Sequence, residues 1–550
     1  MHVSEVGLRQ LASSGCPGQE EDFPPLGRNI KVLMVWPRVP KSFWATPDIL
    51  PVSAVTAPLG LITVAALCPP YWTVRLIDES VEDVTDADLR DCDLVMVSGM
   101  YVQRSGIERI LGRARALGKR TMVGGPFTSS DPNTVLPLAD HVVVGEPDAE
   151  FRRIATALEE GTAARLYVIE DKPDVTCTPV PRFDLLNMNA YANMPIQFSR
   201  GCPFECEFCD IISIYGRRPR TKTPAQLLRE LDRLYELGWR RPVFLVDDNF
   251  IGNHKLALNL TRQMEGWSRA HNYPFAFLTE ASADLAQRPL LLQSMVEANF
   301  FAVFLGLETP SSDALKETRK FQNLRADPLA TVRFLQENGL WILGGFIIGF
   351  DSDTAGIFEQ QREFIERAAI PWAMLGFLQA LPQTGLYERL RKEGRLLKGE
   401  PIGNNYAPPN FRTLLPRTTL VKGVGDTLRS IYSPAEFYRR CLRSLEYWKT
   451  REPQQPPRPR LGEAMLLVVR CLWHQGVKSN YRREWWKFLF AILRRWLFVP
   501  MKMWWGWVLL ISADHFCQYA AQVVAELNRE AQTQKSEPLP TRSESAVCAR

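Results

Sequence analysis

The chain lacks a dominant charge. Its 66 Lys and Arg residues stand against 61 Asp and Glu, leaving +5 over 550 residues, and so small a net charge gives no nucleic-acid footprint. It also lacks a long apolar run. A membrane-crossing helix needs about 20 predominantly apolar residues, and the strongest candidate, 495–512, is broken by Pro500 and Lys502. Residues 1–28 are polar, with Gly, Ser and Glu and no apolar core, so no secretory signal is expected. The eleven cysteines are therefore expected in a reducing, cytoplasmic compartment. Histidine is absent between Gln197 and Ile251, and residues 29–165 hold only His141.

These absences matter because of what they surround. Arg200-Gly-Cys-Pro-Phe-Glu-Cys-Glu-Phe-Cys-Asp210 places Cys202, Cys206 and Cys209 in a C-x3-C-x2-C spacing with no fourth cysteine nearby. Three thiolates can hold three irons of a 4Fe–4S cluster and leave the fourth iron open to an external ligand. An open iron that delivers one electron to a bound molecule points to radical chemistry rather than electron relay. A structural zinc site would need a fourth protein ligand, for which no histidine is at hand. A disulfide plus a spare thiol is the other alternative.

Length predicts two or three domains at about 100–200 residues each. From Ile30 the chain alternates apolar strand-like runs (31–36, 73–78, 93–98, 121–125, 141–145) with helical patterns at 60–67 and 106–117. This predicts an α/β domain over 29–165 with an open, mostly parallel, Rossmann-like sheet. Ligands bind such sheets beyond the carboxyl ends of the strands, here Pro37–Pro40, Ser98–Gln103, Gly124-Gly-Pro126 and Gly145-Glu-Pro147. Small residues there admit a large flat ligand, although Gly124-Gly-Pro126 read alone is equally a tight turn. A proline-punctuated linker is expected over 166–194. Strands at 195–199, 242–247, 275–279, 302–306, 340–348 and 374–380 then alternate with helices, which predicts a partial (β/α)6 barrel over 195–385. The cysteine loop follows its first strand, at the face where barrel chemistry belongs.

From 386 to 527 the pattern becomes helical. Eight of the fifteen tryptophans follow Glu400: Trp448, Trp473, Trp485, Trp486, Trp496, Trp504, Trp505 and Trp507. Tryptophan flanked by Arg and Lys suits a membrane interface, so the stretch from Trp485 to Ile511 is expected to dock a membrane surface. A helical cap packed on the barrel is the competing expectation. Residues 528–550 resemble a disordered tail, as do residues 1–28 at the other end.

Over nearly its whole length the chain resembles the cobalamin-binding-domain radical S-adenosylmethionine (SAM) enzymes. The resemblance rests on the cysteine motif with Phe208 before the third cysteine, and on Val246-Asp-Asp-Asn249, Thr279-Glu-Ala-Ser282, Gly306-Leu-Glu-Thr309 and Gly344-Gly-Phe-Ile-Ile-Gly-Phe350 at successive strand ends. Lys320-Phe-Gln-Asn323 and Gly306-Leu-Glu-Thr-Pro310 are closest to the subgroup with a C-terminal extension that includes the hopanoid C-2 methylases. The resemblance implies three cofactors: a 4Fe–4S cluster on Cys202, Cys206 and Cys209, SAM, and cobalamin. It places Phe208 near the adenine, Asp248, Glu280 and Ser282 toward SAM, and Gly306 and Glu308 at the barrel wall. For Glu308 an internal salt bridge is the alternative role. It places Ser98, Tyr101 and Gln103 below cobalt, and Gly124, Gly125 and Pro126 near the nucleotide tail. The loop departs from the Asp-x-His-x-x-Gly form, so base-off cobalamin is implied, or a domain that has lost it. The implied activity is reductive SAM cleavage and methyl transfer to an unactivated carbon of a hydrophobic small-molecule substrate such as a hopanoid. An electron donor such as a flavodoxin or ferredoxin is implied, and the tryptophan-rich, basic C-terminal stretch adds the expectation of peripheral contact with the inner membrane face. Cyclisation or rearrangement with the same cofactors, and a non-catalytic iron–sulfur or cobalamin sensor or carrier, are the alternatives.

Overall fold

The computed structural model describes residues 8–10, 27–43, 45–397, 399, 403–451 and 461–536. Parts of the expected terminal extensions, 1–7, 11–26 and 537–550, lie outside these. Seven strands form the first sheet: β1 (Leu8–Gln10), β2 (Lys31–Trp36), β3 (Thr73–Asp78), β4 (Leu94–Ser98), β5 (Arg120–Gly124), β6 (His141–Val144) and β7 (Leu166–Val168). They pair in parallel in the order β1-β7-β6-β5-β4-β2-β3. Val32 to Val35 and Leu94 to Val97 are buried throughout. Continuous apolar runs of this kind suit strands covered by helices on both faces. The strand order reverses between β2 and β4, and the crevice beyond their carboxyl ends is where such sheets bind ligands.

Three sequence boundaries shift. Leu166–Val168, read as linker, is the strand β7, which buries Tyr167. Leu8–Gln10, read as part of a loose extension, pairs with it as β1. The expected tail from 528 begins as helix, which runs to Ser536.

The second sheet contains β8 (Met194–Ile196), β11 (Val243–Leu245), β12 (Phe277–Ala281), β13 (Phe300–Glu308), β14 (Trp341–Ile348) and β15 (Trp372–Phe377), all parallel in that order. A two-strand antiparallel hairpin, β9 (Ser199–Arg200) with β10 (Arg220–Thr221), brackets the cysteine loop between β8 and β11. The six-stranded partial barrel is as expected.

The tryptophan-rich region settles as a packed cap. Pro500 opens a helix rather than breaking one, as proline does at a first helical position, and the helix Pro500–Ser536 spans 37 residues. Trp505 is buried and stacks on Trp341 of β14 with centroids 4.2 Å apart and planes 10° apart. Trp448 and Trp485 are also fully buried. Trp505 and Trp448 cover the barrel's outer wall beside β13, β14 and β15, while Trp485 packs inside the cap against Gln475 and Trp486, so the stretch from Trp485 to Ile511 does not present its tryptophans to a membrane as a block. No helix among the described residues is long and apolar enough to cross one.

Candidate functional site

Asp247, just past β11, fixes the entry to the cysteine loop. It accepts hydrogen bonds from the Phe198 and Ser199 amides at 2.8 Å and from Ser199 Oγ at 2.6 Å. Gly201 then turns the chain at φ +95°, and a Cβ there would lie 2.8 Å from the Gly216 carbonyl oxygen. Only glycine combines that conformation with so close a backbone approach. Cys202, Cys206 and Cys209 follow as free thiols. Asn249 Nδ2 donates to Cys202 Sγ at 3.9 Å, and Gln322 Nε2 donates to Cys206 Sγ at 3.5 Å. Burial pushes the Cys202 thiol up and the Cys209 thiol well up. They stay protonated until a metal takes the place of the proton.

No three His, Cys, Asp or Glu among the described residues are spaced for a single metal ion. A cube instead seats each cysteine on a different iron. Three free thiols at the carboxyl-end mouth of a parallel barrel fit that donor set.

Around the loop, Lys320-Phe-Gln-Asn323 divides its work. Asn323 Nδ2 donates to the Gly306 and Leu307 carbonyls at 2.9 and 3.1 Å. Lys320 pairs with the buried Glu308 and lies 5.8 Å from the Phe208 ring centroid. Glu308 is thus engaged as an internal salt bridge, the alternative that the sequence left open. It stands at φ +61°, where the β13–β14 register shifts, a left-handed conformation that a non-glycine residue holds at some cost. Ser282 Oγ donates to Asp284 at 2.5 Å and also contacts Asn249.

Glu280 makes no ion pair among the described residues. Burial, reinforced by the like charges of Asp248 and Asp247, pushes its carboxyl up to about 8. Burial and then Asp247 push Asp248 up to about 7. Between the ordinary carboxylate range and about pH 8, the folded chain keeps a proton on Glu280 that the unfolded chain has released. Stability therefore falls as pH rises through that window, by about 1.4 kcal/mol per pH unit for one full proton. Glu280→Gln mimics the protonated acid. Its thermal midpoint should match wild type near pH 4, exceed it increasingly as pH rises toward 8 and stay above it near pH 9, and parallel pH profiles of the two proteins would sink this assignment.

Glu280 faces an open cavity of about 1610 Å³ lined by all three regions. Ligand pockets commonly measure about 300–1,000 Å³, so this one has room for more than one molecule. Its barrel floor takes one apolar side chain from each of five consecutive strands: Phe244, Leu278, Phe304, Leu343 and Met374. The first domain contributes the β2 and β4 ends, including Trp36, Arg38, Met100 and Tyr101. The C-terminal extension contributes Asn404, Asn405 and Tyr406, and Gly403 packs so tightly that a Cβ would meet Tyr101 Cβ at 2.5 Å.

Of the residues read as cobalamin contacts, Tyr101 lines this cavity, and its buried hydroxyl has no hydrogen-bond partner among the described residues. Gln103 turns inward instead. It accepts from the Met100 amide at 2.9 Å and donates to the Pro37 carbonyl at 2.5 Å, tying the β2 and β4 ends together. Ser98 and Gly125 meet behind the loop: Gly125 stands at φ +93°, and a Cβ there would lie 2.2 Å from Ser98 Oγ. Gly124 accepts from Thr128, and Pro126 opens a five-residue helix. Of this set Tyr101 lines the cavity, while Ser98, Gly124, Gly125 and Pro126 are half-buried at the strand ends.

Sequence reasoning missed Asn249, Lys320 and Gln322 as partners of the loop, together with the ion pairs beneath it. Arg200 donates to Glu146 at 2.8 Å and to both oxygens of Asp148, and Arg220 joins Glu146 at 2.7 Å. The base of the cysteine hairpin is thereby bolted to the loop after β6.

Comparison with known proteins agrees with this architecture. Residues 196–365 match the model of the Radical SAM superfamily, and residues 384–529 match a domain of unknown function (DUF4070). An uncharacterized methyltransferase of Synechocystis sp. is 41% identical over 91% of this chain and 94% of its own length. The hopanoid C-2 methylase of Rhodopseudomonas palustris is 36% identical over 84% of this chain and 90% of its own. The fold is similar to that of the radical SAM methyltransferase TsrM from Kitasatospora setae, solved with cobalamin and a [4Fe-4S] cluster. The TM-score is 0.58 at 15% identity, covering 90% of this chain and 100% of that one.

Proposed function

Because this chain belongs to the radical SAM methyltransferases, in the branch with a doubly wound N-terminal domain and a helical C-terminal extension, we propose that it methylates a carbon of an apolar, ring-built substrate of the hopanoid type. The observation that carries this reading is the apolar floor of five strands beneath a cavity larger than one ligand needs. Such a floor holds a hydrocarbon skeleton and excludes water from the reacting carbon. The 36% identity to the hopanoid C-2 methylase over 84% of this chain supports the substrate class.

Cys202, Cys206 and Cys209 hold the 4Fe–4S cluster, with Asn249 and Gln322 donating to two of the sulfurs. Phe208, Asp248, Glu280, Ser282, Gly306 and Glu308 surround SAM at the barrel mouth. Cobalamin would be held in the crevice beyond β2 and β4, where Tyr101 lines the cavity. When bound, these groups supply hydrogen-atom abstraction at an unactivated carbon and carry the methyl group. A small flavodoxin or ferredoxin supplies the electron, and the reaction takes place at the cytoplasmic face of the inner membrane.

The test is mass spectrometry of lipids from cells with and without the chain, alongside anaerobic assays of the reconstituted protein. A product heavier by one CH2, formed together with 5′-deoxyadenosine, is expected. A product of unchanged mass would establish the cyclase or rearrangement reading. Absence of 5′-deoxyadenosine would establish the sensor or carrier reading.

A further inference from the structure

Nine of the fifteen exposed large apolar side chains among the described residues fall between 465 and 499. They are not scattered. Leu466, Val469, Trp473 and Val477 recur every three or four residues along the helix Leu461–Cys471 and its π-helical continuation Leu472–Lys478, and all four face solvent. Cys471 and Gln475 on the other side are buried. Trp486 of the next helix, Arg482–Trp496, donates its indole N–H to the Gly476 carbonyl at 2.9 Å and stacks on Phe490. The face thus continues from one helix to the other. It ends at the turn before Pro500, where Phe498 is 92% exposed.

The charge of this segment is equally one-sided. Residues 461–502 hold eight Lys and Arg against two Glu, in a chain whose whole net charge is +5. Arg483 and Arg494 are exposed and make no ion pair among the described residues. Lys478 sits 5.1 Å from the Trp473 ring centroid. Protein–protein interface cores are depleted of lysine. Aromatic and leucine residues flanked by Lys and Arg are the pattern of a helix lying in a lipid headgroup layer.

We propose that the outer face of 461–499 docks the enzyme on an anionic bilayer, with Phe498 inserted deepest and Arg482, Arg483 and Arg494 on the headgroups. This moves the apolar contact from the buried tryptophans to Leu466, Val469, Trp473, Val477, Phe490 and Phe498, which overlap the expected stretch and extend it toward residue 461. It rests on the membrane placement above but not on the substrate, because vesicle binding requires no turnover.

The full-length, cluster-reconstituted protein would be floated with vesicles of equal parts phosphatidylglycerol and phosphatidylcholine. Binding at low salt, release at high salt and no binding to pure phosphatidylcholine are expected. Phe490→Ser/Phe498→Ser and Arg482→Glu/Arg483→Glu should each reduce the bound fraction by about tenfold or more. Their melting curves and SAM cleavage should stay at wild-type level, since the altered side chains are exposed. Failure of the wild-type chain to float with anionic vesicles at low salt would overturn the proposal. Light scattering that showed a dimer dissociated by these same variants would overturn it too, by assigning the face to a second copy. Docking without a methylated product would leave this inference standing and remove the substrate assignment instead.

Discussion

Cys206→Ala is expected to give a folded chain that retains no stable cluster and produces no 5′-deoxyadenosine from SAM under reduction. Cys206 is buried and receives a hydrogen bond from Gln322 at 3.5 Å. With Cys206 gone, the loop offers two thiolates to a cube that needs three, and no histidine lies between Gln197 and Ile251 to substitute. Cys202→Ala and Cys209→Ala should behave alike, since each thiolate serves a different iron. Cys471→Ala supplies the control: its thiol is buried in the helical cap, remote from the motif in sequence. Iron and sulfide analysis with visible absorbance reads the outcome directly. Wild-type iron content in Cys206→Ala would end the cluster assignment.

How much of this was legible in the sequence depended on whether the information was local. β2 and β3 match the sequence reading residue for residue, because short runs rich in Val, Leu and Ile that end at proline or acid leave little choice. β12 was expected at 275–279 and runs from Phe277 to Ala281. Phe275 to Leu278 is uniformly apolar, so the strand's position follows from its pairing with β11 and β13. Leu166-Tyr-Val168 is too short to signal a strand, yet it carries the sheet outward to β1. The tryptophans illustrate the same limit. An amphipathic composition is consistent with either a membrane interface or a packed cap. Trp505 is decided by Trp341, and Trp485 by Gln475, which accepts its indole N–H at 2.9 Å. In the site, the cysteine spacing declares itself within eight residues. Lys320 with Glu308, and Gln103 with Pro37, are tertiary pairings that spacing does not encode.

Arg200→Met should produce the largest loss of stability of any single change near the site. The Arg200 side chain is 11% exposed and lies between two carboxylates, Glu146 and Asp148, that are 4% exposed. Arg220 shares Glu146, and Thr178 donates to Asp148 at 2.8 Å. Two arginines therefore neutralise two buried acids. Removing one partner of such a group leaves an uncompensated buried charge, at a cost of about 3–5 kcal/mol. Burial alone would raise the Asp148 carboxyl, but the charge and hydrogen bonds of Arg200 outweigh it and hold it below the ordinary carboxylate range. In wild type this contribution is present at neutral pH and is lost only as pH falls through that depressed value. In Arg200→Met the burial is opposed mainly by the Thr178 hydrogen bond, so Asp148 takes up a proton at higher pH. The deficit against wild type should then be largest near pH 8 and narrow toward pH 5. Adding Asp148→Asn should recover part of the loss by removing the orphaned charge. The same change separates stability from chemistry. Arg200 holds the cysteine hairpin to the loop after β6, and so sets the cluster's position relative to the first domain. A variant that still cleaves SAM should therefore yield less methylated product per 5′-deoxyadenosine. Chemical denaturation at two pH values and that product ratio are the measurements. An unchanged midpoint together with an unchanged ratio would show that the two domains keep their register without this ion network.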